Sequence, residues 1–448
     1  MNEIIIPSEK IPVTEECDIC VIGGSCTGVF AAIRAARLGA KVVIVEKQNR
    51  FGGVATSSLV NMWHSLYDTD YKEQIIAGLT LETMERLAKR NAVAPFMNSK
   101  VYGIPLNSEE LTIELDEMAL EAGVKIHFHT FFSSAVMEGG KMSAVIIQDK
   151  TGRKAISAKM FIDASGDADL CVSSGLGTYI PEHIQPPTTC AKFSAWDFGD
   201  INPYELIMEH AEEYGLPEGI LWGAFVPPRN DVYMLNGTRV RGRNPADADA
   251  LTYCEIEGRK QVRAITDIFR KHLKGRTPQL NALPSYIGIR ESRHIHSLYH
   301  LKGEDILNGK KFDDAIANGT YPVDIHHQEK GGITFRYLDG RERYSRPGKK
   351  AVESRWREEH PDNPKFYQIP LRSLIPVKSK NVICAGRMLD ADKEAFAAAR
   401  VMVNLNQTGE AAGVAAYIAL QENIEITKVC HEKVRKILKD GASCIMDL

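Results

Sequence analysis

The sequence predicts an α/β fold in which a parallel sheet carries an inserted, mixed α+β unit. Three observations predict it. An apolar run, Ile19–Ile22, enters a small-residue turn, Gly23-Gly24-Ser25-Cys26-Thr27-Gly28, and a helical pattern follows at once. Two later short apolar runs, ending at Ile162 and Cys384, also break into small-residue turns, Asp163–Asp167 and Ala385–Arg387. Between these two runs, from about 185 to 284, the composition shifts toward aromatics, prolines and charge. The first run therefore reads as strand, phosphate loop and helix, one nucleotide-binding βαβ half.

In that half, Val29, Ala32, Ile33 and Ala36 fall at i, i+3, i+4 and i+7, so one helical face can lie on a sheet. Gly39 stands where the helix should stop. Lys41–Val45 is a second strand ending in Glu46, from which a carboxylate can accept hydrogen bonds from a ribose hydroxyl pair. Gly52 and Gly53 follow, where a missing Cβ lets backbone approach a ligand. Residues 70–123 read as mainly helical, and 124–162 as strands with a Gly139-Gly140 turn. Residues 246–272 form a long charged amphipathic helix, and 302–365 read as irregular connections and edge strands. Residues 397–420, rich in Ala with Gly409 and Gly413, suit close helix packing, and the tail beyond Glu422 reads as a terminal helix.

Composition restricts the function classes. At 448 residues the chain is long enough for roughly two or three folding units, and 44% hydrophobic with 25% charged residues is ordinary for a globular protein. A net charge of −3 argues against general nucleic-acid binding. No apolar run reaches the roughly 18 residues of a membrane span, and the N-terminal stretch lacks a secretory pattern, so the expected location is cytoplasmic. Nine cysteines without a compact spacing fit reduced thiols. Cys17 and Cys20 form a CxxC at a strand start, where an offset of three predicts opposite faces, so no metal site is expected.

Candidate chemistry lies in two places. His64 follows the Gly52-Gly53 loop, and as an imidazole it suits either acid/base work or a structural hydrogen bond. The segment Ser285–His296 alternates at period two, which places Gly288, Arg290, Ser292, His294 and His296 on one polar face of a strand. A solvent face, a His294/His296 metal pair and an anion-binding face compete there. Of Arg290 and Arg293, whose offset points them to opposite faces, Arg290 is preferred as the guanidinium that grips a carboxylate. His64 and His294 are the acid/base candidates.

The ordered motifs VIGGSCTG, VEKQNRFGGVAT, IDASGDADL, IEGRKQVR, IGIRESRHI, IPLRSLIP, ICAGRMLDAD and RVMVNLNQTGEAAGVAA make the chain resemble the FAD-dependent oxidoreductases of the glutathione-reductase-like flavoprotein superfamily, over about residues 17–420. The resemblance implies a Rossmann-like FAD-binding domain with a central parallel sheet and a β-meander, plus the inserted substrate domain. It implies that Gly23, Gly24 and Gly28 hold the FAD pyrophosphate, with Ser25 where the second glycine of GxGxxG is expected and Cys26 where relatives carry proline. Glu46, with Lys47 beside it, would bind the adenosine ribose, and Gly52 and Gly53 would run toward the flavin. Asp167 would sit near the cofactor, Gly386, Arg387 and Asp390 would approach the ribityl chain, and Asn404–Gly409 would bring backbone amides to the flavin pyrimidine edge.

The expected organisation is a first part of the FAD-binding domain at 15–184 and a substrate domain at 185–365 with a returning strand near 285–296. A second part of the FAD-binding domain at 366–425 and a C-terminal helix at 426–448 complete it. The expected activity is hydride transfer between flavin N5 and a small organic substrate bearing a carboxylate or hydroxyl, with an unknown electron acceptor and homo-oligomerisation left open. Two alternatives stand beside it: an FAD-binding or RNA-modification-type scaffold without metabolite turnover, and a nicotinamide-dependent dehydrogenase. The second leaves the Gly52-Gly53 loop and the AGRMLDAD segment without a contact to make, and no second glycine-rich strand-turn-helix supports a separate nicotinamide domain.

Overall fold

A computed structural model describes every residue except 1, 2, 5, 98–99, 218–220, 328–330, 347–348 and 447–448. Strand β1 (Val13–Ile22), helix α1 (Cys26–Arg37) and strand β2 (Val42–Val45) form the opening βαβ unit. β1 runs parallel to β2, with Ile22 opposite Val45, and on its other side parallel to Gly152–Asp163, with Ile22 opposite Asp163. Lys125–His127 extends the sheet beyond β2. The long strand Gly152–Asp163 serves two neighbours on its outer edge. Its first half pairs antiparallel with Lys141–Asp149, which continues to Phe131–Glu138 as a meander, and its last residues pair parallel with Val382–Cys384. The architecture is thus α/β, with a Rossmann-like parallel core and a meander on its edge.

The apolar positions of α1 explain its seat. Val29, Phe30 and Ile33 have no exposed surface, and burial of each contributes about 1.5–3 kcal/mol. α1 is covered on its second side as well, by the helix Met402–Glu422. A Cβ on Gly409 would stand 2.1 Å from the Thr27 carbonyl oxygen, and one on Gly413 would stand 2.4 Å from that of Ala31. Only glycine lets the two helix backbones approach so closely.

A second, antiparallel sheet has the order Trp222–Phe225, Val232–Asn236, Cys190–Ser194 and Gln279–Ala282. Helix Ala248–His272 packs on it, with Val262, Ile265 and Phe269 against Phe193 and Leu235, and Asp247 caps its first turn at the Ala250 N–H (2.9 Å). The region predicted as irregular holds a third, four-stranded antiparallel sheet, Val323–His326, Ile333–Arg336, Arg341–Ser345 and Val352–Arg355. Its last two strands escape a pattern-based reading because they are short and charged, and Val352–Arg355 is exposed at every position. Among the described residues, no helix is long and apolar enough to cross a membrane.

One local expectation is corrected. The predicted strand across Ser285–His296 pairs only at His294–Ile295, with Thr178–Tyr179, and Gly288 makes a single bridge to Thr188. Ile287, Ile289, Glu291 and Ser292 are all buried, so both sides of this segment are covered and alternation defines no solvent face. Cys17 and Cys20 are both buried in an apolar cluster with Val145 and Phe161, and burial pushes the Cys17 thiol up to about 12.

Candidate functional site

The three turns that follow β1, Gly152–Asp163 and Val382–Cys384 converge on one cavity of about 540 Å³. At its nucleotide end the glycine loop is set by contact. Gly23 has φ +103°, and a Cβ there would stand 2.3 Å from the Ala164 carbonyl oxygen, while a Cβ on Gly28 would stand 1.9 Å from that of Gly23. Ser25, at the position expected for glycine, is extended (φ −61°, ψ 168°), so it needs no glycine, and its hydroxyl caps α1 by accepting the Gly28 N–H at 3.4 Å. Cys26 Sγ donates to the Gly52 carbonyl at 3.6 Å, and burial pushes its thiol up to about 12. It is a packed loop side chain and not a reactive thiolate.

Glu46 is buried and accepts the N–H groups of Gly24 (2.6 Å) and Gln48 (2.7 Å). Burial raises its pKa against these donors. Burial works to lower the Lys47 pKa, but Tyr286 and Asp167 outweigh it; its ammonium donates to the Tyr286 hydroxyl at 3.2 Å. Asp167 joins the loops: it accepts from Ser292 Oγ (2.6 Å) and pairs with Arg387, which also donates to Ser292. Burial would raise the Asp167 pKa, yet Arg387 and Ser292 hold it below the usual carboxylate range.

The distal end is charged and comes from other segments. Arg400 donates to Asp324 Oδ2 at 2.9 Å, Tyr321 OH donates to the same oxygen at 2.7 Å, and His326 Nε2 stands 3.4 Å from Oδ1. Burial would raise the Asp324 pKa, but His326, Arg400 and Tyr321 keep it far below the carboxylate range. Arg290 Nη1 donates to the Pro186 carbonyl at 2.6 Å. Desolvation, reinforced by Arg239 and Arg400, holds the Arg290 pKa well below the usual guanidinium value. The ring of His64 lies 4.4 Å from Tyr321 and 5.3 Å from Tyr102, centroid to centroid. Burial keeps its imidazole neutral down to about 4, and that of His326 down to about 3.

Of the residues singled out in the sequence, Gly23, Ser25, Cys26, Glu46, Lys47, Gly52, Gly53, Asp167, Gly386, Arg387, His64 and Arg290 line this cavity. Gly24 and Gly28 stand behind the loop, Gly24 donating to Glu46 and Gly28 to Ser25. Four others are placed elsewhere. Gly409 makes the helix contact with α1. Asn404 donates to Tyr367 OH (2.9 Å), and Asp390 accepts from His300 Nδ1 (2.6 Å) and the Ser297 N–H (2.7 Å). His294 has no exposed surface, with Nδ1 2.6 Å from the Leu389 carbonyl and Nε2 3.2 Å from Glu291, so it fastens the late loop instead of facing the cavity.

The cavity also takes Ser57, Tyr321, Asp324, His326, Arg400 and Asn406, which sequence reasoning passed over. Asn406 lies inside the Asn404–Gly409 stretch, two positions from the asparagine that was singled out. Asp324 and His326 lie in the stretch taken as irregular, and nothing in its local pattern marks them. Among the described residues one buried group could hold a metal, Asp163 with Cys171 and Cys384, whose sulfurs are 3.3 Å apart. The Asp163 oxygens already accept from Ser165 and the Cys171 N–H.

The residues present fit FAD. Ser57 Oγ and both amide atoms of Asn406 are buried in the cavity wall without a hydrogen-bond partner, which a polar ligand must supply. The first turn of Met402–Glu422 lines the same wall, and its free N–H groups favour an electron-rich group. Fold and cavity define a dinucleotide-dependent redox enzyme. The family model for FAD dependent oxidoreductases matches residues 18–438, and the chain belongs to that family, with FAD as its cofactor. The chain is similar to digeranylgeranylglycerophospholipid reductase 2 of Methanothermobacter thermautotrophicus, 24% identical over 244 residues, 53% of this chain and 60% of that relative. It is also similar to mitochondrial dihydrolipoyl dehydrogenase of Schizosaccharomyces pombe, 30% identical over 115 residues, 23% of this chain and 22% of the relative. A geranylgeranyl bacteriochlorophyll reductase-like protein from Thermoplasma acidophilum superimposes with a TM-score of 0.47 at 13% identity, covering 95% of this chain and 84% of that one.

Proposed function

We propose that this FAD-dependent oxidoreductase transfers a hydride between flavin and a small organic substrate that carries a carboxylate, held by Arg290. One observation carries the reading. Arg290 lines the distal end with a single protein partner, the Pro186 carbonyl, and among the described residues no carboxylate pairs with it. Arg400 beside it is already matched by Asp324. Asp324 acts on Arg290 only at a distance, and a desolvated guanidinium without a paired carboxylate is costly; an incoming carboxylate would relieve that cost through charge-assisted hydrogen bonds.

FAD supplies the electron chemistry when bound. The protein groups orient and exclude. Asp167, Arg387 and Ser292 tie the segment that carries Arg290 to the cofactor loops, so the anion site is fixed relative to them. The reductase names of the curated relatives suggest a long isoprenoid chain instead. Hydrocarbon at this end would leave Arg290, Arg400 and Asp324 desolvated with no new partner, which favours the small anion.

Titration of the FAD-loaded protein with acetate, followed by the flavin difference spectrum, tests the anion site. Saturable binding that Arg290→Gln weakens about 10- to 100-fold supports the reading; a flavin spectrum indifferent to acetate overturns it. Anaerobic bleaching by a panel of hydroxy acids then tests turnover.

A further inference from the structure

His64 is a titratable cavity group whose hydrogen-bonding capacity the protein leaves unused. Its imidazole makes no hydrogen bond among the described residues, and Nδ1 is fully enclosed without a partner. The ring is fixed between Tyr102 and Tyr321, so it lacks neither place nor orientation. The other titratable groups at the distal end are engaged. Asp324 accepts from Arg400 and Tyr321 and faces His326, so the Tyr321 hydroxyl is committed as a donor to that carboxylate. Burial raises the Tyr102 and Tyr321 phenols, which keeps them from yielding a proton.

We propose that His64 is the catalytic base and that the substrate is a hydroxy acid, with its carboxylate on Arg290 and its hydroxyl at the His64 imidazole. This rests on the anion reading of Arg290. In the oxidation, the C–H bond breaks and its electron pair leaves with the hydrogen as hydride to FAD. The O–H bond breaks and its proton goes to the imidazole, and the carbon–oxygen bond becomes a carbonyl. The substrate loses two electrons and FAD gains them.

The charged groups that face His64 set its proton affinity. Desolvation and the Arg400 guanidinium lower it, Asp324 raises it, and the free imidazole stays neutral down to about 4. It is therefore in the accepting form at neutral pH. An anion bound beside it raises the pKa of an imidazole by about 1 to 2, so carboxylate binding at pH 5.5 should draw up roughly half a proton.

Calorimetric titration of the FAD-loaded protein with acetate at pH 5.5, in two buffers of different ionisation enthalpy, reads that uptake. The expected result is about half a proton per acetate in the parent protein and close to none in His64→Asn and His64→Gln, with flavin absorbance checked in each. Two results overturn the proposal in different ways. Failure of acetate to bind the parent protein removes the anion reading and the hydroxy acid with it. Binding without uptake, or uptake that survives in both His64 variants, leaves the anion site standing and removes His64 as the base.

Discussion

Arg400 donates to Asp324 at 2.9 Å, and that bond neutralises one of the two guanidiniums at the cavity's distal end while Arg290 keeps its charge unmatched. The asymmetry makes the two arginines unequal under substitution. Arg290→Gln should weaken acetate binding about 10- to 100-fold and leave the protein folded. Arg400→Gln should instead destabilise the fold by about 3–5 kcal/mol, because it strands a buried carboxylate. Flavin difference titration and urea unfolding separate the two effects.

The glycine loop should tolerate change at one position and not at another. Gly28→Ala puts a Cβ where only 1.9 Å separates it from the Gly23 carbonyl oxygen, and the expected outcome is protein purified without flavin. Ser25→Gly removes one capping hydroxyl and should cost a few tenths of a kcal/mol, with flavin retained. The ratio of flavin to protein absorbance reads both.

The sequence made the nucleotide end legible because its contacts lie within a few residues of one another, as between Gly23, Ser25 and Gly28. The distal end was legible only in part. His64 and Arg290 could be singled out, but Asp324 and Arg400 come from other segments, and the strand that presents Asp324 and His326 is only four residues long, too short for its alternation to stand out. His294 misled because period-two spacing says which residues share a face but not whether that face meets a cavity or the Leu389 carbonyl.

Stability should fall in mild acid. His64 and His326 stay neutral down to about 4 and about 3, below the 6.5 of an exposed imidazole. Between those values the unfolded chain binds protons that the folded one does not. The contribution is therefore complete above about 6.5 and is lost as pH falls through about 4, on the order of 3 kcal/mol for His64. Urea unfolding across this range should show the loss, and His64→Asn should remove the His64 share of it while that of His326 remains.

A structural ion pair lies outside the residues that line the cavity. Glu410 pairs with Arg34, both buried, and accepts the Leu79 N–H (3.0 Å) and the half-buried Ser443 Oγ (3.2 Å). Glu410→Gln leaves the guanidinium buried without its charge partner and should cost about 3–5 kcal/mol in urea unfolding.

The backbone contact of Gly409 and Gly413 with α1 also has a meaning in time. The loop that grips the nucleotide is written hundreds of residues before the helix that backs it. At about 5–20 residues per second, roughly 20–80 s pass between the synthesis of Gly28 and that of Gly409. Through that interval α1 has an uncovered apolar side and a half-built cradle, so capture of FAD waits on the synthesis of Met402–Glu422.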